Sequence, residues 1–416
     1  MAFLKSNLSA RGEVFAAPKS KIPLLDVVCD LWNPEQNPSG YVSLGVAENT
    51  LMHSEVIEHM TKNFSVDCHS LTYGDGFSGS HRLRNTIARF IDRNFSPFKP
   101  VTKDQLLITS DVGQTIELSG FAIYDKDDGV LLTQPHYGNF PIDLGYRVGA
   151  HIIGVPFGEE DPLGVKSVDA YEKAIIDAQD RRIRVRTLVL CNPHNPLGRC
   201  YTHEVLESYM RFCQKYDLHL ITDEIYALST WENPEAPDAP GFTSVLSINK
   251  EGLIDPSLDF GSNGIRLGCL ISQDNVPFIR AVEANSYFSC PLSLSDLVSS
   301  QILSNDRFVE SFIQTNRVRL AENYILTARF LESHQIPYKK SANAGIFVWI
   351  NLFDPIQRQI DSVVKKEVEV GVPLKKALRT LEEKLQTTLL KHRIFLAMGF
   401  DFGGDVPGWF QIVFAH

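Results

Sequence analysis

The chain of 416 residues is poor in cysteine, and its 7 cysteines are odd in number and scattered from Cys29 to Cys290 with no Cys-x-x-Cys pair. That usage fits buried thiols in a reducing compartment better than a disulfide framework or a zinc site. Positive charge is also in deficit. With 40 Lys and Arg against 50 Asp and Glu, the formal net charge is -10, which gives no basic field for nucleic acid or an anionic membrane surface. No apolar run is long enough to span a bilayer, and Met1 to Arg11 lacks the continuous apolar core of a signal peptide. A cytoplasmic location is expected. No Gly-x-Gly-x-x-Gly fingerprint follows the first strand of the repeating region, which argues against a nicotinamide enzyme. Low-complexity segments and internal repeats are not evident.

What is present is a large apolar fraction, 44% of residues, enough for a sizeable core and for more than one domain. From Leu106 onward short β-branched or leucine-rich runs alternate with helical stretches. The runs predict strands at Leu106 to Thr109, Val130 to Thr133, His151 to Val155, Thr187 to Leu190 and Leu218 to Thr222. A helix between the last two places Val205, Leu206, Tyr209, Phe212 and Cys213 on one face, with Thr202 as its N-cap. Such alternation predicts a mainly parallel sheet covered on both faces. The second half changes character: a long helix over Phe308 to Leu331, a strand over Ala342 to Ile350, a helix through Leu378 to Leu390, and strands at Arg393 to Leu396 and Trp409 to Phe414. That order suits a smaller α+β unit. Before residue 50 no helical periodicity is seen ahead of Pro23 to Val28, and Val42 to Asn49 reads as a strand and turn.

Three passages between Asn192 and Arg266 organise the rest. They are Asn192-Pro193-His194-Asn195-Pro196-Leu197-Gly198-Arg199, Thr222-Asp223-Glu224-Ile225-Tyr226 and Asp259-Phe260-Gly261-Ser262-Asn263-Gly264-Ile265-Arg266-Leu267-Gly268. The first two follow buried-strand runs and the third adjoins one, so a carboxylate, an amide, a phenol and a guanidinium gather at one sheet edge, where open α/β sheets place their ligands. Singly, Asn195 reads as a turn former and Tyr137 and Tyr226 as core aromatics. Asp223, one residue past an apolar strand, is poorly explained as a surface charge.

In this order and spacing the passages resemble the fold-type I pyridoxal-phosphate enzymes, specifically the class I/II aminotransferase and aminocyclopropanecarboxylate-synthase-like family. The resemblance implies an α/β fold-type I architecture, with an N-terminal arm over residues 1–50, a large cofactor-binding domain over 51–300 and a smaller α+β domain over 301–416. It implies pyridoxal 5'-phosphate as cofactor, an amino-acid-like small-molecule substrate and a homodimer. Carried residue by residue, the backbone N–H groups of Val112, Gly113 and Gln114 at a strand-to-helix turn would meet the phosphate, with Arg266 as its bidentate cation. Asp111 sets a negative charge close to that site. Tyr137 would stack on the ring, Asp223 would face the pyridine nitrogen, and Asn195 and Tyr226 would bond the ring hydroxyl. Ala47 and Glu48 would line the substrate pocket. Tyr73, in a glycine-rich loop, would reach the neighbouring subunit, although Phe77 could take the matching place. The stretches Phe242 to Ile248 and Gly261 to Gly268 look like the fungal, secondary-metabolite branch of the family, which holds aminotransferases and carbon-sulfur lyases.

Two departures accompany the resemblance. The family's Schiff-base lysine belongs just before Asp259, where this chain reads Ser257-Leu258-Asp259. Either Leu258 stands in its place or, as we favour, a segment of about ten residues, one sheet strand with its turn, is absent. Lys250 sits in a turn too early to replace it. Near the C-terminus the family reads Gly-Trp-Phe-Arg, the arginine gripping the substrate carboxylate, where this chain has Gly408-Trp409-Phe410-Gln411. The small domain also stops short of the closing helix usual in the family. The expectation is noncovalent cofactor binding with little or no turnover. A noncatalytic partner subunit, or an incomplete reading of the gene, would also account for the missing lysine.

Overall fold

A computed structural model describes residues 7–16, 23–158, 160–255, 259–264, 267–353, 364, 368 and 373–416, with the backbone alone for 259–264. Its main sheet has seven strands: β2 (Leu106–Thr109), β3 (Gly129–Thr133), β4 (His151–Val155), β5 (Val185–Cys191), β6 (His219–Asp223), β7 (Asp259–Gly264) and β8 (Gly268–Ile271), in the order β2-β8-β7-β6-β5-β3-β4. β1 is the short strand Val42–Ser43, outside this sheet. Strands β4, β3, β5, β6 and β7 run parallel, while β8 is antiparallel to both β7 and β2.

The expected two-sided burial follows from the period of the strands. Leu188 and Leu190 of β5 and Leu131 of β3 join one core with Tyr171, Tyr201 and Tyr209. Their neighbours Val189, Cys191, Val130 and Leu132 face the opposite core with Ile116, Phe140 and Leu144. Helix His203–Tyr216 closes one face, and the Thr202 hydroxyl accepts from Val205 N at its start, as the N-cap reading requires. Helix Val112–Ile123 lies on the other face, held close to β8 because Gly268 lacks a side chain. A Cβ there would stand 2.1 Å from Thr115 Oγ1 and 2.2 Å from Thr109 Oγ1.

The smaller unit contains a three-stranded antiparallel sheet in the order β11 (Ala397–Met398), β12 (Trp409–Val413), β9 (Phe347–Asn351). The long helix Asp306–Ser333 packs Leu320, Tyr324, Ala328 and Leu331 against it. A further strand, β10 (Ile394–Phe395), pairs in parallel with β1, so the early chain is tied to this unit. The architecture is that of fold-type I: a large, mostly parallel sheet with helices on both faces and a smaller α+β part at the C-terminal end.

Several expectations are corrected. The passage from Asp259 does not merely adjoin a strand; Asp259–Gly264 is itself a strand, pairing with Leu220 to Asp223 on one side and with Gly268 to Ile271 on the other. Sheet continuity is thereby kept, with no gap between β6 and β8. The strand expected from Ala342 starts only at Phe347: Gly345 has φ +75° and Gly345 N donates to Ser229 O, so 342–346 forms a loop against the large unit. A short helix, Ala10–Ala16, begins where no helical period was seen, its first turn capped by Gly12 N donating to Ser9 Oγ. Two turns are too short to display a period.

Candidate functional site

The C-terminal ends of β5 and β6 bring the first two passages together. Cys191 pairs with Asp223 across the parallel ladder, and Asn192 N donates to Asp223 O. Beyond β5 the chain turns back on itself. Asn192 Nδ2 donates to Thr243 O, and His194 N donates to Arg199 O. Gly198 sits at φ +64° with a Cβ position only 3.0 Å from Ala344 O, so glycine is required both for the backbone angle and for the approach of the loop from the smaller unit. His194 is a structural imidazole: burial pushes its pKa down to about 3, and the neutral ring lies 3.2 Å from Thr133 Oγ1 and accepts from Leu197 N.

Asp223 closes β6 and is 4% exposed. Among the described residues the donor to its carboxylate is Ile225 N, at 3.2 Å. Burial, reinforced by Asp143, raises its pKa to about 7. A buried carboxylate so lightly solvated is poised to receive a proton or a protonated nitrogen. The next residue, Glu224, is spent on structure. It accepts from Ser244 Oγ at 2.7 Å and from Val245 N at 2.9 Å, fixing the turn after the family-like passage.

Around Asp223 lies a cavity of about 350 Å³ whose lining includes Ala47, Asp111, Val112, Gly113, Tyr137, Asn139, Asp143, Asn195 and Tyr226. That is room for a small cofactor. Tyr137 is half-buried, its ring edge-on to Phe140, and its hydroxyl accepts from Asn139 Nδ2; burial raises its pKa to about 12. Asn195 Nδ2 donates to Tyr226 Oη at 3.5 Å, while Asn195 Oδ1 accepts from Gln411 Nε2 at 2.7 Å. Gln411 is 2% exposed, so its amide reaches the site through Asn195 and orients that side chain. The expected residues of the ring end are therefore gathered around one cavity.

The anion end is arranged differently. Helix Val112–Ile123 presents its N-terminus to the cavity, but its N-cap is Asp111, whose Oδ1 already accepts from Gly113 N at 2.8 Å. Asp143 lies on the other side of the same glycine. A Cβ on Gly113 would stand 3.3 Å from both Asp111 Oδ1 and Asp143 Oδ1. Burial raises the Asp143 pKa to about 6, with the charges of Asp111 and Glu117 adding to it. Gln114 turns its side chain aside to Glu117.

Not all of the expected residues meet here. Ala47 lines the cavity, whereas Glu48 is exposed beside it and acts on the imidazole of His416. Tyr73 is 86% exposed and lines a separate shallow crevice with His69 and Asp75. Arg266 and the Ser257-Leu258 junction lie outside the described residues. Lys250 is buried and is not among the residues lining the cavity. Asp143 and Asn139 were missed from sequence; both follow Tyr137 by a few residues, but a short helix Phe140–Gly145 gives no periodic signal.

Pyridoxal phosphate, the cofactor implied by the resemblance, can be tested against these residues. Its ring end fits: a buried, poorly solvated carboxylate, an aromatic ring and an amide-phenol pair border the same space. At its phosphate end the described residues offer the N–H groups of a helix N-terminus beside two carboxylates, and Arg266, expected there from sequence, lies outside the described residues.

Comparison with known proteins agrees with the fold and the family. The family model described as aminotransferase class I and II matches residues 39–416. A probable aminotransferase, aclI, from Aspergillus oryzae is 34% identical over 80% of this chain and 81% of its own length. A probable aminotransferase, tcpI, from Claviceps purpurea is 30% identical over 90% of this chain and 84% of its own. A 1-aminocyclopropane-1-carboxylate synthase from Cucurbita maxima is 27% identical over 93% of this chain and 77% of its own. Among solved structures, a Pyrococcus horikoshii kynurenine aminotransferase superposes with TM-score 0.73 at 15% identity, covering 99% of this chain and 92% of its own. A Thermus thermophilus aspartate aminotransferase gives 0.69 at 18%, covering 99% and 96%. The chain belongs to the class I and II aminotransferases, a pyridoxal-phosphate family of fold-type I.

Proposed function

We propose that this chain binds pyridoxal 5'-phosphate weakly and noncovalently in the cavity around Asp223, and that it turns over an amino-acid-like substrate slowly or not at all. The observation that carries the reading is the lack of lysine in the lining: among the described residues bordering the cavity none bears an amine, and the sequence reads Ser257-Leu258-Asp259 where the family's lysine belongs. Bound, the cofactor supplies an electron sink for a carbanion beside an amine. Asp223 would hold its ring nitrogen, Tyr137 its ring face, Asn195 and Tyr226 its hydroxyl, and the N–H groups of Val112, Gly113 and Gln114 its phosphate. Nothing in that set carries a proton to and from a substrate carbon as an amine does. Gln411, engaged with Asn195, offers no charge to a substrate carboxylate.

The wording of Phe242 to Ile248 and of Gly261 to Gly268 extends the reading to an amino-acid-derived metabolite of secondary metabolism, in the cytoplasm, with carbon-sulfur lysis as the alternative reaction. Purified protein supplied with cofactor, an amino-acid panel and oxo acids is expected to show no transamination above the cofactor-only background. A robust transaminase or lyase rate would overturn the reading.

A second reading, a noncatalytic partner in a dimer, is favoured by one surface. Leu71, Tyr73, Phe288 and Leu292 are 74%, 86%, 86% and 75% exposed, and Tyr287 stands edge-on to Phe77 near them. Isolated exposed apolar residues are ordinary, but grouped aromatics mark an interface. Co-expression with a lysine-bearing homologue, followed by native mass spectrometry, would show mixed dimers if this reading holds and separate species if it fails.

A further inference from the structure

Helix Leu374–Lys391 turns its buried face to the backbone of the chain that follows it. Glu382, on that face, has no exposed surface. Each of its carboxylate oxygens takes one backbone N–H: Oε1 accepts from Phe400 N and Oε2 from Gly408 N, both at 3.0 Å. A carboxylate this deep needs such donors, and one side chain thereby closes the turn 400–408. Arg379, about one turn earlier on the helix, grips the same turn from outside, its Nη2 donating to Asp401 Oδ1 at 2.9 Å. The inner side of the turn lies on the segment that carries Tyr137. His136 N donates to Phe402 O at 2.8 Å, and His136 Nδ1 donates to Tyr137 O at 2.9 Å, since a carbonyl can only accept. The His136 ring fits because Gly403, at φ +76°, has no side chain: a Cβ there would stand 2.5 Å from His136 Nε2. On the far side of Tyr137, a Cβ on Gly138 would stand 3.0 Å from Asp401 O. Phe402 is buried in a core of the large sheet, edge-on to Trp349.

We infer that Glu382 is a positioning residue for the cavity: it closes the turn 400–408, the turn seats the segment 136–138, and that segment sets where the Tyr137 ring borders the cavity. Gly408 also leads directly into β12, whose Gln411 holds Asn195, so the same carboxylate fixes a second part of the lining. The consequence for a ligand rests on the cofactor reading above, in which Tyr137 is the platform of the ring, and deepens it. The seating itself depends only on contacts within the chain. Glu382 thus lets the smaller unit determine the shape of a site whose other walls belong to the large sheet.

Hydrogen exchange of the full chain, read by mass spectrometry, tests the seating without a ligand. Glu382→Gln keeps one acceptor oxygen but sets its amide nitrogen against the second backbone N–H, donor against donor. In that variant the peptide over 134–140 is expected to exchange about tenfold faster, and by more than peptides of β5. Gln386→Leu is the control. Gln386, one turn along the same helix, donates to Leu396 O at 2.9 Å, so its loss removes a buried bond but spares the turn, and 134–140 should stay protected. Gly403→Ala crowds the His136 ring from the turn itself and should loosen 134–140 even where Glu382→Gln fails to fold. Isothermal titration with pyridoxamine and with its 5'-phosphate, amines that form no imines with surface lysines, carries the test to the site. Their dissociation constants should rise about tenfold in Glu382→Gln, and the near-ultraviolet circular dichroism of the bound pyridine should change at saturation; neither should change in Gln386→Leu. Unaltered exchange over 134–140 in Glu382→Gln and Gly403→Ala, or equal loosening in Gln386→Leu, would overturn the inference. Faster exchange with unaltered binding and dichroism would overturn the role of Glu382 at the site. Binding of neither amine by the unaltered chain would overturn the cofactor reading, while the exchange result would still decide whether Glu382 seats Tyr137.

Discussion

Replacing Asp223 with asparagine removes a charge from the centre of the site while keeping the shape of the side chain and an oxygen to accept from Ile225 N. The carboxyl has its pKa raised from 3.8 to about 7, by burial first and by Asp143 after it. A carboxyl whose folded pKa lies above its unfolded value favours folding most below the unfolded value, and that advantage is lost as pH rises through the folded one. Between pH 4 and pH 7 the unaltered protein should therefore lose stability on account of this group, by about 4 kcal/mol in all at 1.36 kcal/mol per pKa unit. Asp223→Asn does not titrate. In urea denaturation of the ligand-free proteins the variant should become the more stable of the two as pH approaches 8, with the difference growing from pH 4 and levelling off above 7. Its gain in stability should come with loss of function: added pyridoxamine should stabilise the unaltered protein and not the variant. A variant no more stable than the parent at pH 8, with a difference that does not move with pH, would show the carboxylate to be well satisfied without a ligand and would refute the reasoning.

Three further outcomes follow from packing. Gln411→Leu leaves Asn195 Oδ1 buried without the donor it now has at 2.7 Å, so stability should fall by about 1–3 kcal/mol, read by denaturant titration. Gly268→Ala forces a methyl onto Thr115 Oγ1 and Thr109 Oγ1; helix Val112–Ile123 must move off the sheet, with a loss of about 1–3 kcal/mol and weaker pyridoxamine binding in the same preparation. Phe288→Ser, at a position 86% exposed in the single chain, should weaken self-association by roughly tenfold or more if that side chain is buried in a dimer, as seen by sedimentation equilibrium. An unchanged association constant would remove Phe288 from the interface.

The strands from Leu106 to Asp223 were legible because each is a short apolar run on a doubly covered sheet, and no end moved by more than two residues. Asp223, Asn195, Tyr137 and Tyr226 were legible as a group because they lie at or just beyond strand ends, where a ligand site forms. Other features depend on tertiary contacts that no period records. Ala342 to Ile346 is apolar enough for a strand, yet Gly345 and the approach to Ser229 and Gly198 bend it into a loop. The glycine-rich passage from Asp259 to Gly264 has little strand propensity, but its backbone completes the ladder between β6 and β8. Asp143 enters the cavity from a helix of six residues, and Gln411 turns toward Asn195; neither direction can be read from spacing.

We propose a vitamin B6 pocket with no amine to fix the aldehyde. Pyridoxal 5'-phosphate is added to the purified chain, the mixture is reduced with borohydride, and the tryptic peptides are weighed. The predicted result is no stoichiometric label on any one lysine, with the unreduced cofactor removed completely by gel filtration. One lysine carrying a full equivalent of reduced cofactor, lost in Asp223→Asn, would contradict it.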